Sequence, residues 1–199
     1  MNFLAHAYLS QGQPGIITGN LISDFVKGSK QYELPERVHY GIRLHRNIDQ
    51  FTDGHECTQV VKSLFRKDYR LYAGAFSDIV YDHFLANDGN RFKQNADLES
   101  FTENVHQDLD NHLEILPENF LPVYRSMKQY GWLGHYGKDA AILKSFQSLV
   151  KRAVYMDHAE RAFEIFLDNK NTILEAYEEF FPQLETFSQG KLLEMTDAR

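Results

Sequence analysis

The chain has 199 residues, 43% apolar and 14% aromatic, which is enough for one domain with a sizeable core and excludes a disordered chain. Its net charge of −7 is unevenly spread, because residues 1–75 sum to +2 and residues 76–199 to −9. The overall acidity argues against general nucleic-acid binding, yet the mildly basic first part can receive an acidic partner.

The lone cysteine, Cys57, cannot form an internal disulfide and suits a reducing compartment. The start MNFLAHAYLS lacks the basic residues and long apolar run of a secretory signal, and no stretch approaches the roughly eighteen apolar residues of a membrane span. A cytoplasmic protein with no membrane or nucleic-acid partner is expected.

Strict apolar/polar alternation is missing and the few turn signals separate segments of helical period, so the chain reads as all-α. Residues 2–11 form a short helix closed by the turn over 11–15, and a second helix spans about 16–27 and stops at Gly28. Pro35 suits the first turn of a helix over 36–51; Thr52, Asp53 and Gly54 then break the chain, with Thr52 or Asp53 capping a helix over 54–66. The longest apolar segment, 69–87, ends at Asn87-Asp88-Gly89-Asn90. Helices over about 97–115, 117–130 and 138–155 follow, with Gly131, Gly134 and Gly137 marking a flexible join. The last, about 157–186, is amphipathic and acidic, and Pro182 bends or ends it.

Between Val38 and Asp53, a 3.6-residue period puts Val38, Gly41, Ile42, His45, Ile48, Asp49 and Thr52 on one stripe. An imidazole and a carboxylate therefore sit on an apolar face. An unpaired buried carboxylate costs several kcal/mol at least, so hydrogen bonds, a partner charge or a metal must offset it. The anomaly recurs. Asp24 lies beside Ile17 and Leu21 with Asn20 one turn away, Asp78 and Asp82 lie among Ile79 and Leu85 with His83 on the edge, and His6 shares a side with Phe3 and Leu9.

Any one such residue is ordinarily a hydrogen-bonded structural group. Several helices aiming His6, Asp24, His45, Asp49, Asp78, Asp82 and His83 at a common interior is instead how bundles build metal sites. A set of imidazoles and carboxylates without thiolate suits Mn²⁺, Fe²⁺, Mg²⁺ or catalytic Zn²⁺. Such an ion would lower the pKa of a water and neutralise charge on a phosphoryl oxygen. Arg46, at the rim, has the planar fork that grips phosphate, and Lys27, Lys30, Arg37, Arg66, Lys67 and Arg70 extend the basic surface. His106 and Asp110 read as a solvated edge, and His39, His55, His112, His135 and His158 as surface or loop.

Four blocks, MNFLAHAYLS at the start, GNLISDFVKG at 19–28, GIRLHRNIDQFTD at 41–53 and SDIVYDHFL at 77–85, resemble those of the acyl carrier protein phosphodiesterases, a family related to the HD-domain metal phosphohydrolases. The resemblance implies an all-α, HD-domain-like helical bundle forming one domain over 1–199, and a divalent metal, most typically Mn²⁺, with Mg²⁺ or Fe²⁺ as alternatives. It implies hydrolysis of the phosphodiester joining 4′-phosphopantetheine to a serine of holo-acyl carrier protein, a strongly acidic partner. Carried over by position, His6, Asp24, His45 and Asp82 form the metal shell, with Asp49, Asp78 and His83 as further ligands or as groups that orient the imidazoles. The superfamily is named for adjacent His-Asp, whereas here Arg46 follows His45 and the pair at 82–83 is Asp-His. On this reading Asp24 and His45 act at the reaction centre, His83 transfers the proton, Arg46 steadies the phosphoryl oxygens, and Lys27, Lys30, Arg37 and Arg43 dock the carrier. The competing readings are an HD-type enzyme acting on a nucleotide or other small phosphoester, and a non-catalytic helical binding protein in which the acids and imidazoles merely pair.

Overall fold

The helical periods resolve into helices and short 3₁₀ turns; the structure, a computed structural model, describes residues 1–153 and 158–196, and among these there is no strand. The chain order is α1 (Phe3–Leu9), α2 (Ile16–Ile22), α3 (Glu36–Gly54), α4 (Glu56–Tyr69), α5 (Ala73–Ala86), α6 (Asn95–Asn111), α7 (Leu121–Tyr130), α8 (Trp132–His135), α9 (Asp139–Arg152), α10 (Ala159–Asp168) and α11 (Lys170–Thr196).

Several boundaries differ from the sequence expectation for local reasons. The second helix stops at Ile22, where the chain tightens into a 3₁₀ turn, Ser23–Phe25, before extending at Val26. α3 continues through the expected break at 52–54 because Thr52 is buried, and the ring of His55, rather than Thr52 or Asp53, caps α4 by accepting the Cys57 N–H. The last expected helix is two: Asn169 separates α10 from α11, and Pro182 is carried inside α11, which runs on to Thr196. Residues 154–157, on which the expected ends of two helices fall, lie outside the described residues.

α3 is central and lies closest to α2. A Cβ at Gly19 would stand 1.9 Å from the Val38 carbonyl oxygen, and one at Gly41 would stand 2.2 Å from that of Ile16. Only glycine at both positions lets the two backbones touch. Around this pair, α5 buries Phe76, Val80 and Tyr81, α11 buries Phe180, Phe181 and Leu184, and Phe65, Phe76 and Phe146 interlock between α4, α5 and α9.

Two seven-residue helices, α1 and α2, have no side-chain cap of their own; helices this short are marginal in isolation. Carboxylates from later helices supply the missing acceptors. Asp82 of α5 accepts the N–H groups of Leu4 (2.8 Å) and Ala5 (3.0 Å). Asp108 of α6 accepts those of Gly15 (2.9 Å) and Thr18 (3.0 Å) and the Thr18 hydroxyl (2.8 Å). Charge-assisted bonds of this kind also favour the positive end of the helix dipole.

After α4 the chain passes through Arg70 at φ 46°, ψ −115°, a conformation that costs a non-glycine residue on the order of 1–3 kcal/mol. The 3₁₀ turn Arg70–Tyr72 then leads into α5.

Candidate metal centre

The backbone contact between α2 and α3 sets the first element of the site. His45 Nδ1 lies 2.7 Å from the main-chain oxygen of Asn20. A carbonyl oxygen only accepts, so Nδ1 carries the proton and Nε2 of the neutral ring presents its lone pair. That Nε2 stands 3.3 Å from Asp24 Oδ1 and 3.1 Å from Asp49 Oδ2.

From α1, His6 brings its ring over that of His45, with centroids 3.9 Å apart and planes 14° from parallel, and sets its Nε2 3.2 Å from Asp49 Oδ1. Among the described residues, ligating atoms of His6, His45 and Asp49 all fall within 4.8 Å of one another. His6 Nδ1 and Asn20 Oδ1 are buried without a hydrogen-bond partner, and Nε2 of each ring faces only carboxylate oxygens. Two carboxylates converging on two imidazole nitrogens call for a positive charge among them: a proton on His45 supplies it in the metal-free protein, and a metal ion can take its place. The donors therefore fit a divalent ion of the kind that accepts nitrogen and oxygen ligands.

The electrostatics agree. Burial, reinforced by the charge on His45, lowers the His6 pKa to about 4, so its ring is neutral and free to ligate at pH 7. Burial opposes a charge on His45, but hydrogen bonds to Asp24 and Asp49 outweigh it and raise its pKa to about 9 in the absence of a metal. Burial likewise works against ionised Asp49, yet the bonds to His45 and His6 hold its carboxyl well below the usual range. The hydrogen bond to His45 lowers the pKa of Asp24 as well.

Asp24 is not the buried carboxylate that its helical stripe suggests. It sits on the 3₁₀ turn after α2 with its side chain 78% exposed, on the open side of the cluster. Asp78 lies near Asp49 through the amino group of Met1, which stands 3.2 Å from Oδ1 of each; burial raises its pKa.

Two expected participants are elsewhere. Asp82 is fully buried with both oxygens occupied by the backbone of α1, so it holds the helix that carries His6 instead of joining the cluster; burial pushes its pKa up to about 7 against those two bonds. His83 turns away into a separate cleft, with Nδ1 3.0 Å from the Tyr136 oxygen and Nε2 3.7 Å from Asp139, whose carboxylate also holds Lys170 at 3.1 Å. One helical step of about 100° separates neighbours on α5, which is enough to send 82 and 83 to different surroundings.

At the rim, Arg46 is exposed and donates to the Gln31 side chain at 2.9 Å, tying α3 to the 3₁₀ segment Gly28–Glu33. Lys27, Lys30 and Arg43 are exposed on this side. Arg37 is exposed too, but its guanidinium is occupied by the Pro14 carbonyl and the Gln13 side chain. Sequence patterning could not register the Asn20 main-chain oxygen or the Met1 amino group, because neither is a side chain. On the helix whose His106 and Asp110 read as a solvated edge, the carboxylate of Asp108 is buried under α2, and polarity alone does not single it out. Asp110 is exposed as expected, while His106 is half-buried.

A family profile described as "Acyl carrier protein phosphodiesterase" matches residues 1–184. Curated relatives carry the same name. The one from Photorhabdus laumondii is 27% identical over 191 residues, covering 96% of each chain; that from Yersinia pestis is 27% identical over 96% of this chain and 99% of its own; and that from Escherichia coli is 28% identical over 97% and 100%. No solved structure matches this chain.

Proposed function

This chain belongs to the acyl carrier protein phosphodiesterase family, and from that premise we propose that it hydrolyses the phosphodiester linking 4′-phosphopantetheine to the serine of holo-acyl carrier protein. The observation that carries the reading is His45, whose Nδ1–H is held by the Asn20 carbonyl, so that Nε2 is the nitrogen turned toward Asp24 and Asp49 and the one able to ligate. His6, His45 and Asp49 would hold the ion, with Asp24 completing the shell from the open side; imidazole and carboxylate without thiolate favour Mn²⁺, then Mg²⁺ or Fe²⁺. Bound there, the ion would activate water and offset charge on the phosphoryl oxygens. We read the bundle as HD-like and the whole chain as one catalytic domain, and we assign it to the cytoplasm; no helix among the described residues is long and apolar enough to cross a membrane.

In the reaction a water oxygen bonds to phosphorus as the bond to the serine oxygen breaks, giving apo-carrier and 4′-phosphopantetheine. Asp24 is the exposed carboxylate at the centre; it takes the proton from the attacking water, steadied by His45 at 3.3 Å, and gives it to the departing serine oxygen. Arg46 turns its remaining donors to the phosphoryl oxygens, for which guanidinium geometry is suited. His83, 3.7 Å from Asp139, faces its own cleft and takes no part in the proton transfer. Lys27, Lys30 and Arg43 attract the acidic carrier, and Arg37 contributes less because its donors are engaged.

The test is incubation of holo-carrier with the protein and Mn²⁺, followed by mass spectrometry. The expected result is apo-carrier plus free 4′-phosphopantetheine, abolished by chelator and by Asp24→Ala. Cleavage of nucleotides in a parallel panel, with holo-carrier intact, would transfer the assignment to a small-phosphoester enzyme.

A further inference from the structure

Leu71, on the turn between α4 and α5, is 98% exposed, the most exposed large apolar side chain among the described residues. Water contact with a whole leucine is unfavourable, and the turn that produces it is strained at Arg70, where φ is 46° and ψ is −115°. The chain places an arginine where glycine would be at ease, and the result is a side chain lifted clear of the surface.

Its surroundings are cationic. Arg66, Lys67 and Arg70 are exposed, and none has a carboxylate within ion-pair distance among the described residues. The nearby acid, Asp68, is drawn toward Arg161 of α10 at 4.0 Å. A chain of contacts joins the turn to α3, the helix that carries His45 and Asp49. Gly74, in the first turn of α5, backs onto Lys62, whose Nζ binds Asp53 at 2.6 Å; Asp53 is one helical turn beyond Asp49 on α3.

We propose that Leu71, ringed by Arg66, Lys67 and Arg70, is the apolar anchor on which the acidic carrier protein docks. The inference rests on the activity proposed above. Charge complementarity selects this occupant: three cations with no carboxylate partner around one apolar side chain suit an acidic surface with an apolar spot, whereas two copies of this chain meeting patch to patch would press like charges together. Lys27 and Lys30 follow Asp24 in sequence, and Leu71 connects through Gly74, Lys62 and Asp53 to the helix that carries Asp49.

The experiment measures binding of fluorescently labelled apo-carrier by anisotropy, beside steady-state hydrolysis of holo-carrier. Apo-carrier has no phosphodiester, so its binding reports the protein contact alone. Leu71→Asp and Arg70→Glu are expected to weaken apo-carrier binding by roughly tenfold or more, with the loss in turnover lying in KM, as for truncation of an interface anchor. Leu71→Met should restore binding, and Leu193→Asp, an exposed leucine on α11, should leave it unchanged. Circular dichroism checks that each variant keeps its helix content. Unaltered binding in both Leu71→Asp and Arg70→Glu, with wild-type protein cleaving holo-carrier, overturns the docking site alone. Wild-type protein that leaves holo-carrier intact overturns the activity and the docking inference together.

Discussion

The rings of His6 and His45, from helices α1 and α3, lie face to face at 3.9 Å. Two imidazoles this close cannot both be protonated cheaply, and burial keeps His6 neutral. Once a metal displaces the proton of His45, Nε2 of both rings can serve one ion. His6→Ala and His45→Ala are each expected to lose retained Mn²⁺ in elemental analysis of protein purified without chelator, and to lower kcat/KM by roughly hundredfold or more. Full Mn²⁺ occupancy in both variants would remove the metal centre from this position.

Asp82 offers a way to separate holding from ligating. Asp82→Asn keeps one acceptor but points an amide N–H₂ at a second backbone N–H of α1, so stability should fall by about 1–3 kcal/mol, a Tm decrease of roughly 3–10 °C. Asp24→Asn, on an exposed turn, should leave Tm within about 1 °C while turnover is lost. Equal Tm values for the two variants, measured by calorimetry, would mean that Asp82 does not secure α1.

The depressed pKa of His6 has a consequence for the metal-free protein. Above pH 6.5 the ring is neutral in both folded and unfolded chains and contributes nothing. Below it, the unfolded chain accepts a proton that the folded one refuses until about pH 4. Stability is therefore lost as pH falls through that window, by about 3 kcal/mol for a shift of this size. Paired urea titrations at pH 6.5 and 4 should show metal-free wild type losing about 3 kcal/mol more than metal-free His6→Leu. Parallel losses would contradict the burial argument.

The α2–α3 contact gives the largest expected mutational effect. At Gly41 an added methyl meets backbone at 2.2 Å, which side-chain adjustment cannot relieve, so Gly41→Ala should destabilise by about 3 kcal/mol or more. Gly190, inside α11 with nothing within 4 Å of a Cβ, is the control: Gly190→Ala should stabilise by about 0.5–1 kcal/mol. Denaturant midpoints distinguish the two directly.

Much of this was legible from side-chain spacing. The α3 stripe carrying His45 and Asp49 is visible because helical period and polarity disagree there, and the same conflict flags Asp82. Such a conflict does not say how it is resolved: on α3 the polar groups converge with His6, while on α5 Asp82 is satisfied by backbone N–H groups. Asp24 leaves the apolar stripe because α2 ends at Ile22, and a helical wheel has no meaning in the 3₁₀ turn that follows. The Asn20 carbonyl that fixes the His45 tautomer leaves no trace in side-chain pattern at all. Its position depends on two glycines whose value lies in what they lack.

The capping carboxylates also impose an order of assembly. Asp82 reaches back 78 residues to Leu4, and Asp108 reaches back 90 to Thr18. The segments bearing His6 and Asp24 leave the ribosome first, yet each must wait for an anchor synthesised much later. A nascent chain arrested before residue 82 should therefore fail to retain Mn²⁺, whereas one extended past residue 108 has both anchors in hand. The earliest residues of this protein are thus among the last to settle.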